Sequence, residues 1–262
     1  MRIALLSLDA FGGGNLEEVE KLIRLSVQNE AAIVLLPELS YGGYRLDKGH
    51  FGNFAYEDAL TTYSTLAKRY KIAIGFGAAK KLPGGKYSNR YTVVSDVGDI
   101  LAEYDKTHIF SFGGEDEFFE AGDSLATFEY RGIVFGVSIC YDLRFAEIFS
   151  IYSTKCDVVL CPSAWPKKRV NHYRLLLKAR AVENNMNIVG VNWQGISPDG
   201  IEYSKSSFVA TGIGNFKKAI FKNKELEIHN LNTSKNIGIN SVVDKRFPFY
   251  VQLLKNTKNN LA

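Results

Sequence analysis

The chain has 262 residues, of which 46% are hydrophobic and 23% charged, a composition typical of a globular protein with one large core. Its 32 basic and 28 acidic residues are spread along the sequence and leave a net charge of +4, which argues against a nucleic-acid-binding surface. The apolar stretch at the amino terminus is too short for a signal peptide, and no stretch approaches the ~20 apolar residues of a membrane span. We therefore expect a cytoplasmic protein that binds neither nucleic acid nor membrane.

The first half of the chain alternates between short apolar runs, typical of buried strands, and amphipathic helix patterns. Asn15 is a suitable helix cap, and apolar residues line one face of the segment that follows it. Two later apolar runs flank Val97-Gly98-Asp99, a pattern typical of a hairpin. The predicted elements are strands at 3–8, 32–36 and 72–77, helices at 16–30 and 56–70, and a hairpin formed by 91–95 and 100–104.

In the second half, an apolar run ends at Cys140, where a charged and amphipathic stretch begins. This pattern predicts a strand, a tight turn and a helix, with Cys140 on the turn, where backbone N–H groups can assist a thiolate. The other predicted elements are a strand pair at 125–130 and 133–139, helices at 146–152 and 170–184, strands at 158–160 and 188–191, and a hairpin formed by 207–211 and 219–221.

Strands that alternate with helices, together with hairpins, indicate an α/β protein built in layers. We find no linker or repeat, so we expect a single domain over residues 1–262, with a tail from about residue 237. The three cysteines are an odd number, and Cys156 and Cys161 lie five apart in one apparent strand, so they would point to opposite faces and could not easily form a bridge. They are typical of small buried side chains in a reducing compartment.

Three ionisable residues each directly follow an apolar strand pattern: Glu38, Lys106 and Cys140. Strand ends on one edge of a layered α/β sheet converge on a crevice, so these residues can meet although they are far apart in sequence. A thiol needs a base or a nearby cation to become a nucleophile at neutral pH, and a buried glutamate is a suitable base. A lysine beside it would stabilise the anion that forms when the thiolate attacks a carbonyl.

The sequence gives less support to two rival sites. A Cys–His pair could use His108 or His172, but His172 lies at the polar start of a helix and His108 has no orienting carboxylate that the sequence identifies. Cys156, Cys161 and His172 fit no zinc-binding spacing and lack a fourth ligand. The nucleophilic site at Cys140 therefore remains the prediction.

Three segments resemble the signature blocks of the nitrilase (carbon–nitrogen hydrolase) superfamily, in the family's order. Residues 36–39 read LPEL, residues 104–110 read YDKTHIF, and residues 139–145 read ICYDLRF. The segment 176–184, which ends in ARAVEN, is similar to the family's long-helix motif. The resemblance covers the chain from about residue 3 to about residue 210, and three blocks in order are far more specific than any one of them.

The resemblance implies a role for each matching position. Cys140 would be the nucleophile, Glu38 the general base, and Lys106 the cation that holds the tetrahedral intermediate together with the N–H of Tyr141. A further active-site glutamate of the family matches Glu115, with Glu117 as the fallback. The resemblance also implies a four-layer α-β-β-α sandwich of the nitrilase type, a homodimer formed through helices, and neither a metal nor an organic cofactor.

Residues 140–147 and 162–169 resemble the branch that contains omega-amidases, which hydrolyse the terminal amide of short ketoacid amides. In such a pocket Tyr44, Tyr141, Trp165 and Arg169 are the candidates for binding substrate, Arg169 because a planar guanidinium suits a carboxylate. One position departs from the family pattern, since Lys205 replaces a glycine of the motif Tyr-x-Gly-x-Ser. This departure leaves the shape of that loop and the substrate class open.

We therefore expect a thiol hydrolase that releases ammonia from a small linear amide, most simply a dicarboxylic acid monoamide. The alternatives are an N-carbamoyl amine hydrolase or a nitrilase of the same superfamily, or a catalytically retired protein that binds a small molecule or acts as a scaffold. The tail segment 244–251 mixes charges with aromatic side chains, and we expect it at or near a dimer interface.

Overall fold

The computed structural model describes residues 1–12 and 14–232, which form two β-sheets flanked by helices. The helices are α1 (Leu16–Gln28), α2 (Lys48–Gly52), α3 (Tyr56–Tyr70), α4 (Ala146–Tyr152) and α5 (Val170–Asn184). The first seven strands are β1 (Arg2–Leu6), β2 (Ile33–Leu35), β3 (Ala73–Lys81), β4 (Tyr87–Val94), β5 (Ile100–Asp105), β6 (Ala126–Tyr130) and β7 (Ile133–Val137). They are followed by β8 (Val158–Ser163), β9 (Asn187–Asn192), β10 (Gly195–Ile196), β11 (Glu202–Tyr203), β12 (Phe208–Ala210), β13 (Phe221–Lys222) and β14 (Leu226–Asn230).

The two large sheets each contain a parallel core. The seven-stranded sheet has the order β13-β14-β1-β2-β3-β4-β5, in which β1, β2 and β3 are parallel. The five-stranded sheet has the order β12-β9-β8-β7-β6, in which β7, β8 and β9 are parallel. Parallel neighbours require crossover connections, which are supplied here by α1, α3, α4 and α5.

Alternating side chains on the central strands divide the core into three layers. Ile3 and Leu5 of β1 pack into a cluster shared with the second sheet, whereas Ala4 and Leu6 pack into the cluster that contains residues of α1 and α3. On β8, Leu160 packs between the sheets and its neighbour Cys161 packs toward α4 and α5. Since successive strand residues point to opposite faces, both sheets are covered on both sides. The predicted four-layer α-β-β-α sandwich is confirmed.

Most predicted elements are confirmed within a few residues, including the hairpins β4–β5 and β6–β7 and the long helix α5. The predicted pairing of 207–211 with 219–221 is wrong. Strand β12 pairs with β9, and β13 pairs with β14, a strand that the sequence pattern did not reveal. Cys156 precedes β8 rather than lying within it, and all three cysteines are free thiols.

The ends of four strands meet at one edge of the sandwich. Strand β5 is antiparallel to β4, which is antiparallel to β3, so β5 ends at the same edge as β2. In the other sheet the parallel strands β7 and β8 end together. Glu38, Lys106, Cys140 and Ala164 follow these four strands, which is why residues far apart in sequence reach one crevice.

The expectations about membrane spans and about the tail stand as follows. Within the described part, no helix combines the length and apolar character needed to cross a membrane. The tail from about residue 237, with its segment 244–251, lies outside the described residues.

Gly77 of β3 lies directly beneath the loop that carries Glu38, and we predict that Gly77→Ala destabilises the protein. The Gly77 N–H donates to Ser40 Oγ at 3.0 Å, and the added Cβ would fall against the backbone N of Leu39. Overpacking at such a contact costs about 1–3 kcal/mol of unfolding free energy. Urea unfolding measures the loss, and Gly84→Ala is the control because its Cβ would meet no atom nearer than 3.5 Å. A Gly77→Ala protein as stable as the control would contradict this close packing.

Candidate active site

Glu38 is held by hydrogen bonds to both of its carboxylate oxygens and to its backbone carbonyl. Its side chain is fully buried, and Oε1 accepts from Asn89 Nδ2 at 2.8 Å while Oε2 accepts from the Ala164 N–H at 2.9 Å. Its backbone carbonyl accepts from Trp193 Nε1 at 2.9 Å. These partners come from both sheets, so Glu38 is fixed where the two sheets meet.

Lys106 lies between two carboxylates at the end of β5. Its Nζ donates to Glu38 Oε1 at 2.8 Å and to Glu115 Oε1 and Oε2 at 2.8 and 2.9 Å. All three side chains are at most 1% exposed. A buried charge is tolerated only when it is paired and its hydrogen-bonding capacity is used, and this ammonium meets both conditions.

Glu115 has two further partners that fix its orientation. Tyr44 donates its hydroxyl to Oε1 at 2.7 Å, and the backbone N–H of Phe110 donates to Oε2 at 2.9 Å. Burial, reinforced by the negative charge of Glu115, raises the pKa of Tyr44 well above its usual value, so this tyrosine remains a donor. Glu117, the fallback candidate, is exposed. The structure thus brings Glu115, and not Glu117, together with Lys106.

Cys140 occupies a strained turn after β7. Its φ is +45°, a left-handed conformation that residues other than glycine rarely adopt. It opens a 3₁₀ turn (Cys140–Arg144) that precedes α4, so a short turn separates the predicted strand from the predicted helix. Ser138 anchors the approach, because its N–H and hydroxyl both donate to Leu160 O, at 2.8 and 2.9 Å. The residue is partly exposed, and its thiol forms no disulfide.

Asp142 ties the turn of Cys140 to the segment that follows Lys106. Its fully buried carboxylate accepts from the Ile139 N–H at 2.8 Å and from the Tyr104 hydroxyl at 2.8 Å. It also accepts from Thr107 Oγ1 and from the N–H of His108, and His108 Nδ1 lies 2.8 Å from Oδ1. His108 therefore has an orienting carboxylate that the sequence did not identify, and its ring stacks on Phe145 with centroids 3.7 Å apart.

The charges of the buried cluster control the thiol. Two carboxylates and one ammonium sum to a net charge of −1 when all are ionised, so a thiolate would add a second uncompensated negative charge. Burial and the charge of Glu38 accordingly raise the pKa of Cys140 well above its usual value, although Lys106 acts in the opposite direction. Burial also raises the pKa of Glu38, against the opposing effect of Lys106. Burial lowers the pKa of Lys106, but both glutamates outweigh it and raise that pKa well above normal. The resting state therefore has a neutral thiol and a charged lysine.

A backbone donor at the turn is available for an oxyanion. Within residues 1–12 and 14–232, the Tyr141 N–H has no hydrogen-bond acceptor. It belongs to the residue directly after Cys140, at the start of a helical turn whose first N–H groups have no partner within the turn. An N–H in this position is suited to bind a negative oxygen that forms next to Cys140.

The four substrate-binding candidates have different surroundings. Tyr44 contacts Glu115, and the Tyr141 ring packs against Phe110 with centroids 4.9 Å apart. Trp165 is buried, with its indole Nε1 donating to Arg169 O at 2.8 Å. Arg169 itself is exposed, and its guanidinium lies over the ring of Phe112, which is 86% exposed.

Lys205, which replaces a glycine of the family pattern, makes side-chain contacts that a glycine could not make. Its Nζ donates to Asn223 O and lies 3.6 Å from Glu227 Oε1. Both partners belong to the β13–β14 region, so this lysine fastens its loop to the edge of the seven-stranded sheet.

The sequence analysis did not identify several residues of the site. Asn89 lies within β4 and does not follow a strand, whereas Ala164 follows β8 but acts through its backbone N–H, which its side chain does not reveal. Asp142 lies within the segment 139–145, but the sequence does not show that its carboxylate is fully buried. Arg180 of α5 is a similar case, since it donates to the carbonyls of Leu143 and Arg144 and so holds the end of the Cys140 turn.

Comparison with known proteins agrees with this geometry. The family model for carbon–nitrogen hydrolases matches residues 12–232. The chain is 31% identical to a 2-oxoglutaramate amidase of Bacillus subtilis over 71% of its length and 72% of that protein, and 31% identical to the omega-amidase YafV of Yersinia enterocolitica over 76% of both. An amidase structure from Nesterenkonia sp. superimposes with a TM-score of 0.81 at 21% identity, covering 98% of this chain and 95% of that one.

The sandwich, the three blocks in order and the matched span lead to one conclusion: the chain belongs to the carbon–nitrogen hydrolase family.

Proposed function

We propose that Cys140, Glu38, Lys106 and Glu115 hydrolyse the C–N bond of a small linear amide through a Cys acyl-enzyme. The observation that carries the proposal is the fully buried Glu38–Lys106–Glu115 cluster beside the strained turn of Cys140. Acyl transfer needs a nucleophile, a base of raised pKa, a cation and an N–H donor for the oxyanion, and these residues with the Tyr141 N–H supply all four.

In the first half-reaction the sulfur of Cys140 attacks the amide carbon, and its proton passes to Glu38. The carbonyl π electrons move to oxygen, where Lys106 and the Tyr141 N–H stabilise the negative charge. Glu38 then gives the proton to the leaving nitrogen as the C–N bond breaks, and ammonia departs. A thioester to Cys140 remains.

In the second half-reaction a water molecule attacks the thioester and gives its proton to Glu38. The C–S bond breaks, the sulfur recovers a proton from Glu38, and the free acid leaves. Glu115 holds Lys106 through two hydrogen bonds in both halves, so the ammonium keeps its position while Glu38 changes protonation state. Tyr44 acts through Glu115 in the same way.

For the substrate we propose short dicarboxylic acid monoamides, which makes the protein an omega-amidase. The proposal is supported by relatives that carry the names omega-amidase and 2-oxoglutaramate amidase over about three quarters of their length. The structure gives less support to a catalytically inactive binding protein. Burying the three charged side chains costs desolvation energy, and a protein without catalytic activity would have no use for them.

We predict that the protein releases ammonia from an acidic monoamide such as succinamate faster than from neutral amides, N-carbamoyl amines or nitriles. Cys140→Ala should abolish this release without unfolding the protein, because the attacking atom is lost while its turn is held by neighbouring groups. The control is Cys156→Ala, which removes a buried thiol outside the cluster and should retain activity. Ammonia is measured for each substrate, and folding by circular dichroism.

Ammonia release by Cys140→Ala would disprove the mechanism. A preference for N-carbamoyl amines would move the protein to the carbamoylase branch, and a preference for nitriles to the nitrilase branch. Equal rates for acidic and neutral amides would remove the omega-amidase assignment but leave the amidase chemistry.

We further propose a homodimer in a reducing compartment such as the cytoplasm, where a thiol nucleophile persists. Apolar side chains exposed on α4 and α5, Ile151, Leu175 and Val182, supply surface that a second copy would cover. We predict a light-scattering mass of twice the 29.3 kDa chain at micromolar concentration. A mass of one chain would contradict the dimer, and an unchanged dimer after deletion from Asp244 would contradict a role for the tail.

A further inference from the structure

Asn192 ends β9 at the edge of the sandwich where Glu38, Cys140 and Ala164 meet. It is the register partner of Ser163, the last residue of β8, so the ladder between these two parallel strands stops at this pair. Asn192 is fully buried. A buried carboxamide is costly unless its oxygen and its N–H groups find partners. The partners of Asn192 therefore define which part of the chain it holds.

The carboxamide of Asn192 binds the backbone of Trp165 on both sides. Its Oδ1 accepts from the Trp165 N–H at 2.7 Å, and its Nδ2 donates to the Trp165 carbonyl oxygen at 3.0 Å. A carboxamide offers the same donor and acceptor as a peptide group, so Asn192 continues the ladder beyond the last strand pair. Nδ2 also donates to Ser206 Oγ at 2.9 Å, and Ser206 Oγ donates to the carbonyl oxygen of Ser204 at 2.9 Å. Since a backbone N–H can only donate and a carbonyl can only accept, the amide has one orientation.

The residue directly before Trp165 carries an N–H that serves both the base and the nucleophile. The Ala164 N–H donates to Glu38 Oε2 at 2.9 Å. Burial raises the pKa of Cys140 most strongly, and a hydrogen bond from the Ala164 backbone acts in the opposite direction. A hydrogen bond to an ionised carboxylate or thiolate favours the charged form. The position of this N–H therefore affects both groups between which the proton moves.

We propose that Asn192 is a positioning residue, which holds the Ala164 N–H between the base Glu38 and the nucleophile Cys140. The inference rests on the proposed amidase function and adds a residue that acts on the reaction through its neighbours. The segment after Ala164 has left the β8–β9 ladder, and the two hydrogen bonds from Asn192 replace the strand pairing there. Without them the N–H would move away from Glu38, and the carboxylate would lose a donor.

The test compares the pH dependence of kcat/KM for succinamate in the wild-type protein, Asn192→Ala and Gln194→Met. Attack needs an ionised Glu38 and a protonated Cys140, so the two limbs of the profile report these groups. We expect Asn192→Ala to move both limbs upward by about one pH unit, because each charged form loses a hydrogen bond. Gln194→Met is the matched control. Its side chain also bonds across the end of β9, with Nε2 donating to Ser7 O at 2.8 Å, and its loss should lower stability while both limbs stay in place.

A lower kcat/KM at every pH with unmoved limbs in Asn192→Ala would show that Asn192 serves stability alone, and would overturn the proposal. Equal movement of the limbs in Gln194→Met would overturn it as well. If Asn192→Ala does not fold, Ser206→Ala decides, because it removes one partner of the amide and so weakens its hold on Trp165. Limbs that move upward in Ser206→Ala support the proposal, and limbs that stay in place refute it.

A wild-type protein that hydrolyses no amide would refute the proposed function separately. The placement of the N–H is then tested by alkylation of Cys140 with iodoacetamide across a range of pH, followed by mass spectrometry of the labelled peptide. A midpoint that lies about one pH unit higher in Asn192→Ala than in the wild-type protein supports the positioning role. An unchanged midpoint refutes it.

Discussion

A lysine ammonium held between two buried carboxylates is the interaction on which the rest of the structure depends. Burying Glu38, Lys106 and Glu115 together is costly unless each oxygen and each proton finds a partner. The two sheets supply those partners: Asn89 from one sheet, the Ala164 N–H from the other, and Trp193 beneath the Glu38 carbonyl. The cluster therefore requires the two sheets to be packed in one relative position.

Strain at the site is confined to two short turns that stand on this rigid base. Leu39, directly after Glu38, has φ +48°, and Cys140 has φ +45°. Each such residue costs of order 1–3 kcal/mol and persists because its neighbours hold it. Ser40 and Gly77 hold the first turn, while Asp142 and Arg180 hold the second. As a result, Cys140 lies beyond the end of β7, and the Tyr141 N–H directly after it has no acceptor among the described residues.

Sequence reasoning could reach the layers and the main site because both follow from strand patterns. Short continuous apolar runs predict the buried strands. An ionisable residue at the end of such a strand predicts a place in the crevice, as for Glu38 and Lys106. The roles assigned to these residues remain proposals, although the structure brings three of the four candidate catalytic side chains into direct contact.

Strand pairing and side-chain contacts could not be predicted from the sequence. The strands β12 and β13 are both short, and nothing in their sequence indicates whether they pair with each other or with β9 and β14. The link between His108 and Asp142 joins residues 34 positions apart. Such properties arise from the three-dimensional neighbourhood alone.

The most direct test of the central claim is the titration of Cys140. The negative cluster should keep the thiol protonated until substrate arrives, so its pKa should lie above the usual ~8.5 of a free thiol. The ultraviolet absorbance of the thiolate, measured against pH as the difference between the wild-type protein and Cys140→Ala, gives this pKa. Glu38→Gln should lower it, because a negative neighbour is removed. A thiolate already present at neutral pH, or a pKa that Glu38→Gln leaves unchanged, would contradict the account.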